Sequence, residues 1–147
     1  MKPGSRTTRS VMSKSVSDFI PESIDVDCPV LFVGISPSSK TIPFKNGTFA
    51  KLKHWANEAG LEKFDFCNAI PDVINSMSMD DVDFDSLIVK CKGKSKVVAL
   101  GGFVSRVLKR CGIPHLKIDH PSPRNRNLNS PEYEVCLINN LKAFVND

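Results

Sequence analysis

Near its C-terminus the chain reads DHPSPRNR (119–126), eight residues that suit neither a core strand nor a helix. A histidine, a serine and two arginines set around two prolines are well chosen to hold an anion beside a phosphate chain. Imidazole, hydroxyl and backbone amides would donate, and the guanidiniums would supply counter-charge. A lone His is more often a structural hydrogen-bond partner than a catalyst. Here Pro121 and Pro123 fix the backbone around His120, and Arg124 and Arg126 follow it. Asn68, at the end of an apolar run, is either a turn residue or an amide that donates and accepts, as reading a base edge requires. Phe44 is either a core lid or a stacking platform. Ser36 lies in GISPSSK (34–40), which lacks the spacing of a P-loop or a dinucleotide fingerprint.

These residues need elements to bring them together. PVLFVGIS (29–36) is a continuous apolar run of the kind found in a strand buried on both faces. Thr48–Ala59 carries apolar residues at 49, 52, 55, 56 and 59, a helical face closed by Gly60. FDFCNAI (64–70) reads as a second strand stopped by Pro71. Phe84, Leu87, Ile88 and Cys91 make 83–92 a short amphipathic helix. KVVALGG (96–102) is a third buried strand, followed by a helix bearing Phe103, Val104, Val107, Leu108 and Cys111 and stopped at Gly112. HLKID (115–119) is a fourth strand. Ser130 as N-cap and Pro131 as first residue open a last helix with apolar positions Cys136, Leu137, Leu141, Phe144 and Val145. The alternation predicts a three-layer α/β/α domain on a four-stranded parallel sheet. Ligands of such folds bind beyond the carboxyl ends of the strands. GISPSSK, CNAIPD (67–72), LGGF (100–103) and DHPSPRNR all lie there.

The length of 147 residues fits one domain over 21–147, preceded by a flexible basic tail over 1–20 with a first helical turn around Ser17–Ile20. No apolar run approaches a membrane span and no secretory signal opens the chain, so a soluble cytoplasmic protein without a membrane partner is expected. Five scattered cysteines with no C-x-x-C pair argue against a disulfide framework, a metal site or a cluster, and fit buried thiols. The net charge of +4 points to a polyanion only where charges gather. Lys90, Lys92, Lys94 and Lys96 precede Arg106, Lys109, Arg110, Arg124 and Arg126, with Asp80, Asp81, Asp83 and Asp85 opposing them. Acids at a helix start and lysines at its end suit the helix dipole, whereas Arg124 and Arg126 lie outside any predicted helix. The exposed face of Lys109 and Arg110 is expected to add phosphate contacts.

Taken in order, these segments resemble the uracil-DNA glycosylase superfamily over about residues 28–145. GISP (34–37) corresponds to its Gly-x-x-Pro water-activating loop. PFKNGTFAKLKHWANEAGL (43–61) looks like the Pro-Phe segment and helix of its compact microbial branches. FCNAIP (66–71) matches the strand whose Asn reads uracil, KVVALGGFVSRVL (96–108) the strand and helix before the second motif, and HPSP (120–123) that motif itself. The resemblance implies a DNA glycosylase, without metal or cofactor, acting as a monomer on a uracil or related base flipped from single- or double-stranded DNA. Phe44 would stack on the base, Ile35 would lie beside it and Asn68 would read its edge. Ser36 would hold the water and His120 would face the departing base. Ser122 and Pro123 would hold the flanking phosphate, with Arg124 and Arg126 gripping the backbone or plugging the emptied stack. Three positions differ from active relatives: Ser36 is not acidic, Arg124 replaces an apolar wedge, and the cluster cysteines of some branches are missing. The rival expectations are a glycosylase-fold protein that binds DNA or abasic and modified sites without cutting, and a small-molecule nucleotide hydrolase or binder.

Overall fold

The structure, a computed structural model, describes residues 23–37, 46–72, 77–121 and 126–147, with Asn46, Gly47, Arg126 and Asn127 described by backbone alone. The N-terminal tail therefore lies outside the described residues. Four strands, β1 (Val30–Gly34), β2 (Asp65–Asn68), β3 (Lys96–Leu100) and β4 (Leu116–Ile118), form one sheet in the order β2-β1-β3-β4. All three pairings are parallel. The helices are α1 (Asn46–Glu58), α2 (Phe84–Cys91), α3 (Gly102–Arg110) and α4 (Pro131–Val145). Every strand and helix predicted from Pro29 onward forms, within a few residues of the predicted bounds, while the helical turn expected around Ser17–Ile20 lies outside the described residues.

Strand alternation sorts the apolar side chains into two clusters. Leu31, Val33, Val97 and Ala99 face α2 and α3, packing on Leu87, Val104, Val107 and Leu108. Val30, Phe32, Val98 and Leu100 face α1 and α4, packing on Leu52, Trp55, Leu137 and Leu141. The fold is thus a three-layer α/β/α sandwich, and β1 and β3, covered on both faces, carry the unbroken apolar runs. The chain leaves β1 for β2 through α1 on one face, then moves the other way to β3 and β4 through α2 and α3 on the opposite face. One crossover hand serves all three connections, as parallel sheets require.

Several elements carry signals the sequence shows. Asp83 caps α2 by accepting from Ser86 N at 3.1 Å, and Ser130 caps α4 by accepting from Tyr133 N at 3.4 Å. α1 and α4 are tied by Glu134, whose Oε2 accepts from Lys51 Nζ at 3.0 Å and from the indole N–H of buried Trp55 at 3.1 Å. Partial burial alone would raise the Glu134 carboxyl, but these bonds hold it below the usual carboxylate range.

Two apolar expectations fail. Ile88 is 39 % exposed and Cys136 is fully on the solvent side, because α2 and α4 each bury a narrower stripe than their composition suggests. The five cysteines are free thiols, but only Cys91 is buried outright, while Cys28, Cys67 and Cys111 are half-buried. Burial pushes the Cys67 thiol up to about 12 and the Cys91 thiol up to about 11. Both are therefore protonated and poor nucleophiles at neutral pH.

Asp65 has no counterpart in the sequence reading. Its side chain is fully buried, and Oδ2 meets Lys90 Nζ at 2.9 Å and Lys94 Nζ at 2.8 Å. Its other oxygen accepts from Phe66 N at 2.8 Å. Lys94 also donates to Val26 O and Cys28 O, both at 2.8 Å. Two members of the basic run are therefore occupied inside the molecule.

Candidate functional site

β1 and β3 are neighbours whose following segments leave for opposite faces. That is the switch point at which open α/β sheets form a crevice. One lip is Ile35–Pro37 after β1, the other Gly101–Gly102 after β3. Asn68 closes the β2 side and His120 the β4 side.

The first lip is held to β2. Gly34 pairs with Asn68, and the ladder continues as Ala69 N donates to Gly34 O at 2.9 Å and Ile70 N to Ile35 O at 2.8 Å. Ile35 turns its side chain into the α2/α3 cluster, so the structure gives it a packing role at the rim. Ser36, half-buried, is the next residue along the lip.

Gly34 owes its identity to a close approach. An ideal Cβ there would stand 2.8 Å from Asn68 Oδ1 and 3.0 Å from Phe66 Cζ. The Asn68 amide thus lies over the bare backbone of β1, on the α1/α4 face, at the mouth of the crevice. Asn68 is itself the last ladder residue of β2.

The second lip is built differently. Gly101 has φ 99° and ψ 171°, a conformation that L side chains avoid, and it begins α3 with no side-chain cap. The first turn of α3 holds no acidic residue, and among the described residues no side chain caps it, so its dipole meets no acidic counter-charge at the crevice edge. Arg106 folds back over this end. Its Nη1 lies 3.5 Å from where a Cβ of Gly102 would stand, and its guanidinium lies 5.9 Å from the Phe103 ring centre.

His120 packs against this lip, its Cβ 3.5 Å from an ideal Cβ at Gly101. Gly101 N donates to Ile118 O at 2.8 Å, which brings the end of β4 onto the start of α3. Pro121 after it is buried. Burial also lowers the His120 imidazole below its ordinary 6.5. The ring is neutral at neutral pH, with one N–H to donate and one bare nitrogen. From β2 to β3 is two strand steps, so Asn68 and Gly101 stand about 10 Å apart across β1, with His120 on the far side of Gly101.

The predicted site residues therefore divide. Asn68, Ser36, Ile35 and His120 all come to this one edge. Phe44, Ser122, Pro123 and Arg124 lie outside the described residues, and Arg126 is described only as the backbone start of a 3₁₀ turn, Arg126–Asn129. Lys109 and Arg110 are not at the edge. α3 runs away from it, so they sit about 10–12 Å down the helix. The Arg110 guanidinium there lies 5.6 Å from the Phe84 ring centre. Gly34, Gly101 and Arg106 are the contributors that the residue-type reading passed over as site groups. The signal for the second was a Gly-Gly pair at a strand-to-helix junction where Ser, Thr, Asp or Asn is the usual cap.

Among the described residues no group of three or more His, Cys, Asp or Glu is gathered as a metal site, and no helix is long and apolar enough to cross a membrane. Comparison with protein-family models finds no match for this chain, and neither does comparison with curated proteins.

Proposed function

We propose that this chain is a DNA glycosylase that hydrolyses the N-glycosidic bond of uracil, or of a related modified pyrimidine, turned out of the strand. The observation that carries this reading is that Asn68 and His120 come to one edge of the sheet, on either side of the β1/β3 switch point. Turning a base out costs a few kcal/mol of stacking and pairing, which the pocket must return. The Asn68 amide offers one donor and one acceptor, matching the two-sided edge of uracil. The His120 N–H then donates to the base as it leaves as an anion, without any change in the ring's own charge. The uncapped start of α3, with Arg106 beside it, suits the phosphate next to the extruded nucleotide.

Ser36 orients the water in this scheme. A serine hydroxyl is not a base at neutral pH, so bond breaking leans on stabilising the departing anion rather than on deprotonating water. Phe44 as stacking platform, and Ser122, Pro123, Arg124 and Arg126 as backbone contacts, complete the reading from the resemblance to the uracil-DNA glycosylase superfamily.

The neutral Ser36 favours a second reading, a protein that binds abasic or modified sites without cutting. Labelled oligonucleotides carrying uracil, mispaired thymine or modified pyrimidines, incubated with the protein and then treated with alkali, separate the two. Strand breaks at uracil support the glycosylase. Binding to abasic-site DNA with no breaks from any base supports the second reading, and absence of both removes DNA from the function.

A further inference from the structure

The strand that carries His120 is the thinnest part of the sheet. β4 has three residues and, among the described residues, one neighbouring strand. Side chains also hold it. At its start, His115 Nε2 lies 2.8 Å from Ser105 Oγ, and Nδ1 lies 2.8 Å from Ile113 O. A carbonyl only accepts, so Nδ1 carries the proton, and in the neutral ring Nε2 accepts from the Ser105 hydroxyl. At its end, Tyr133 Oη donates to Asp119 Oδ1 at 2.7 Å.

This second bond bears on the site. Asp119 stands between Ile118, the last core residue of β4, and His120. Tyr133 lies in the first turn of α4, which is anchored by buried Leu137 and Leu141. The bond therefore passes the fixed position of α4 to the residue that sets the height of His120 over Gly101. Resting on the role given to His120 above, we infer that Tyr133 and Asp119 are a positioning pair for His120. Neither is a catalytic residue. Tyr133 is 40 % exposed, so water takes the place of this bond when it is lost.

The test uses Tyr133→Phe, Asp119→Ala and Asp119→Asn in the full chain. Its first readout is the pair of His120 ring signals in long-range proton–nitrogen spectra, and its second is single-turnover release of uracil from an oligonucleotide. Tyr133→Phe and Asp119→Ala are expected to shift the His120 ring signals and slow release about tenfold, the scale of a small misplacement at a reacting group. Their urea midpoints should stay at the wild-type value. Asp119→Asn still accepts the phenol's hydrogen bond and is expected to keep release within about twofold. Unmoved ring signals in Tyr133→Phe overturn the inference, as does an Asn variant as impaired as the Ala variant, since charge rather than position would then be at work. If wild type releases no base, the glycosylase reading falls, and the ring signals alone still decide whether the pair positions His120.

Discussion

A methyl group at Gly34 would stand 2.8 Å from Asn68 Oδ1, closer than carbon and oxygen tolerate, so Gly34→Ala must push the Asn68 amide aside. The variant is expected to cost about 1–3 kcal/mol in recognition of the preferred base, the worth of one base-edge pair. Asn68→Ala should cost a similar amount, and the double variant little more, because both remove the same contact. Binding titrations with a non-cleavable uracil analogue in DNA check this, and fully additive losses would separate Gly34 from base reading. His120 gives the second prediction at this scale. In the proposed glycosylase its working form is the neutral ring, and burial lowers its midpoint below 6.5. Release should therefore stay level as pH falls to 6.5 and decline only below it. The folded state binds the His120 proton less readily than the unfolded chain, so this residue also subtracts stability as pH falls through that range. His120→Ala should slow single-turnover release by about 10²–10³ while leaving abasic-site binding nearly unchanged. A profile falling already at pH 7.5 would mean that another group sets the rate. That Asn68, Ser36 and His120 would meet at one sheet edge was legible because each is a polar group following an apolar run. The contact between Asn68 and Gly34 was not, since it depends on which strands become neighbours.

Helices divide the charges differently from the sequence. Lys109 and Arg110 follow Arg106 by three and four residues and read as one basic face, but α3 carries them down and away from the crevice. Arg106 bends back to the uncapped end instead. Arg106→Ala is expected to lower the slope of log affinity against log salt by about one unit for DNA, the signature of one lost phosphate contact, while Lys109→Ala leaves it unchanged. Equal effects from both would place the DNA along the whole of α3. The helices themselves were readable, because each carries its punctuation: Asp83 before α2, Ser130 and Pro131 opening α4, and Gly112 just after α3. Three short features were not. The bridge between Ile24 and Phe64 and the 3₁₀ turns Met79–Asp81 and Arg126–Asn129 span too few residues to show any period.

Over the whole molecule, the run Lys90–Lys96 does more than complement the dipole of a helix end. Lys94, its side chain 10 % exposed, joins three segments far apart in sequence through Asp65, Val26 and Cys28. Lys94→Met removes one ammonium from a buried carboxylate and is expected to cost about 3–5 kcal/mol. Lys90, 32 % exposed and making a single ion pair, should cost clearly less when changed to Met. Chemical denaturation of both variants checks the order, and equal losses would show that water reaches Asp65. The layered fold and its ligand edge could be read from patterning because the two faces of the central strands impose it. The ion-pair knot could not, since a charged residue in a strand gives no sign of where its partner lies.

That knot also governs strand register. Shifting β2 by one residue against β1 would reverse its faces. Asp65 would then replace Phe64 or Phe66 on the α1/α4 side, where Phe64 now packs edge-on to Phe32 with ring centres 5.0 Å apart. A carboxylate there would meet aromatic carbon and no ammonium, and the two lysines would lose their partner on the far face. A one-residue slip therefore strands all three charges, and the pairing that sets Asn68 beside Gly34 also keeps Asp65 from being buried alone.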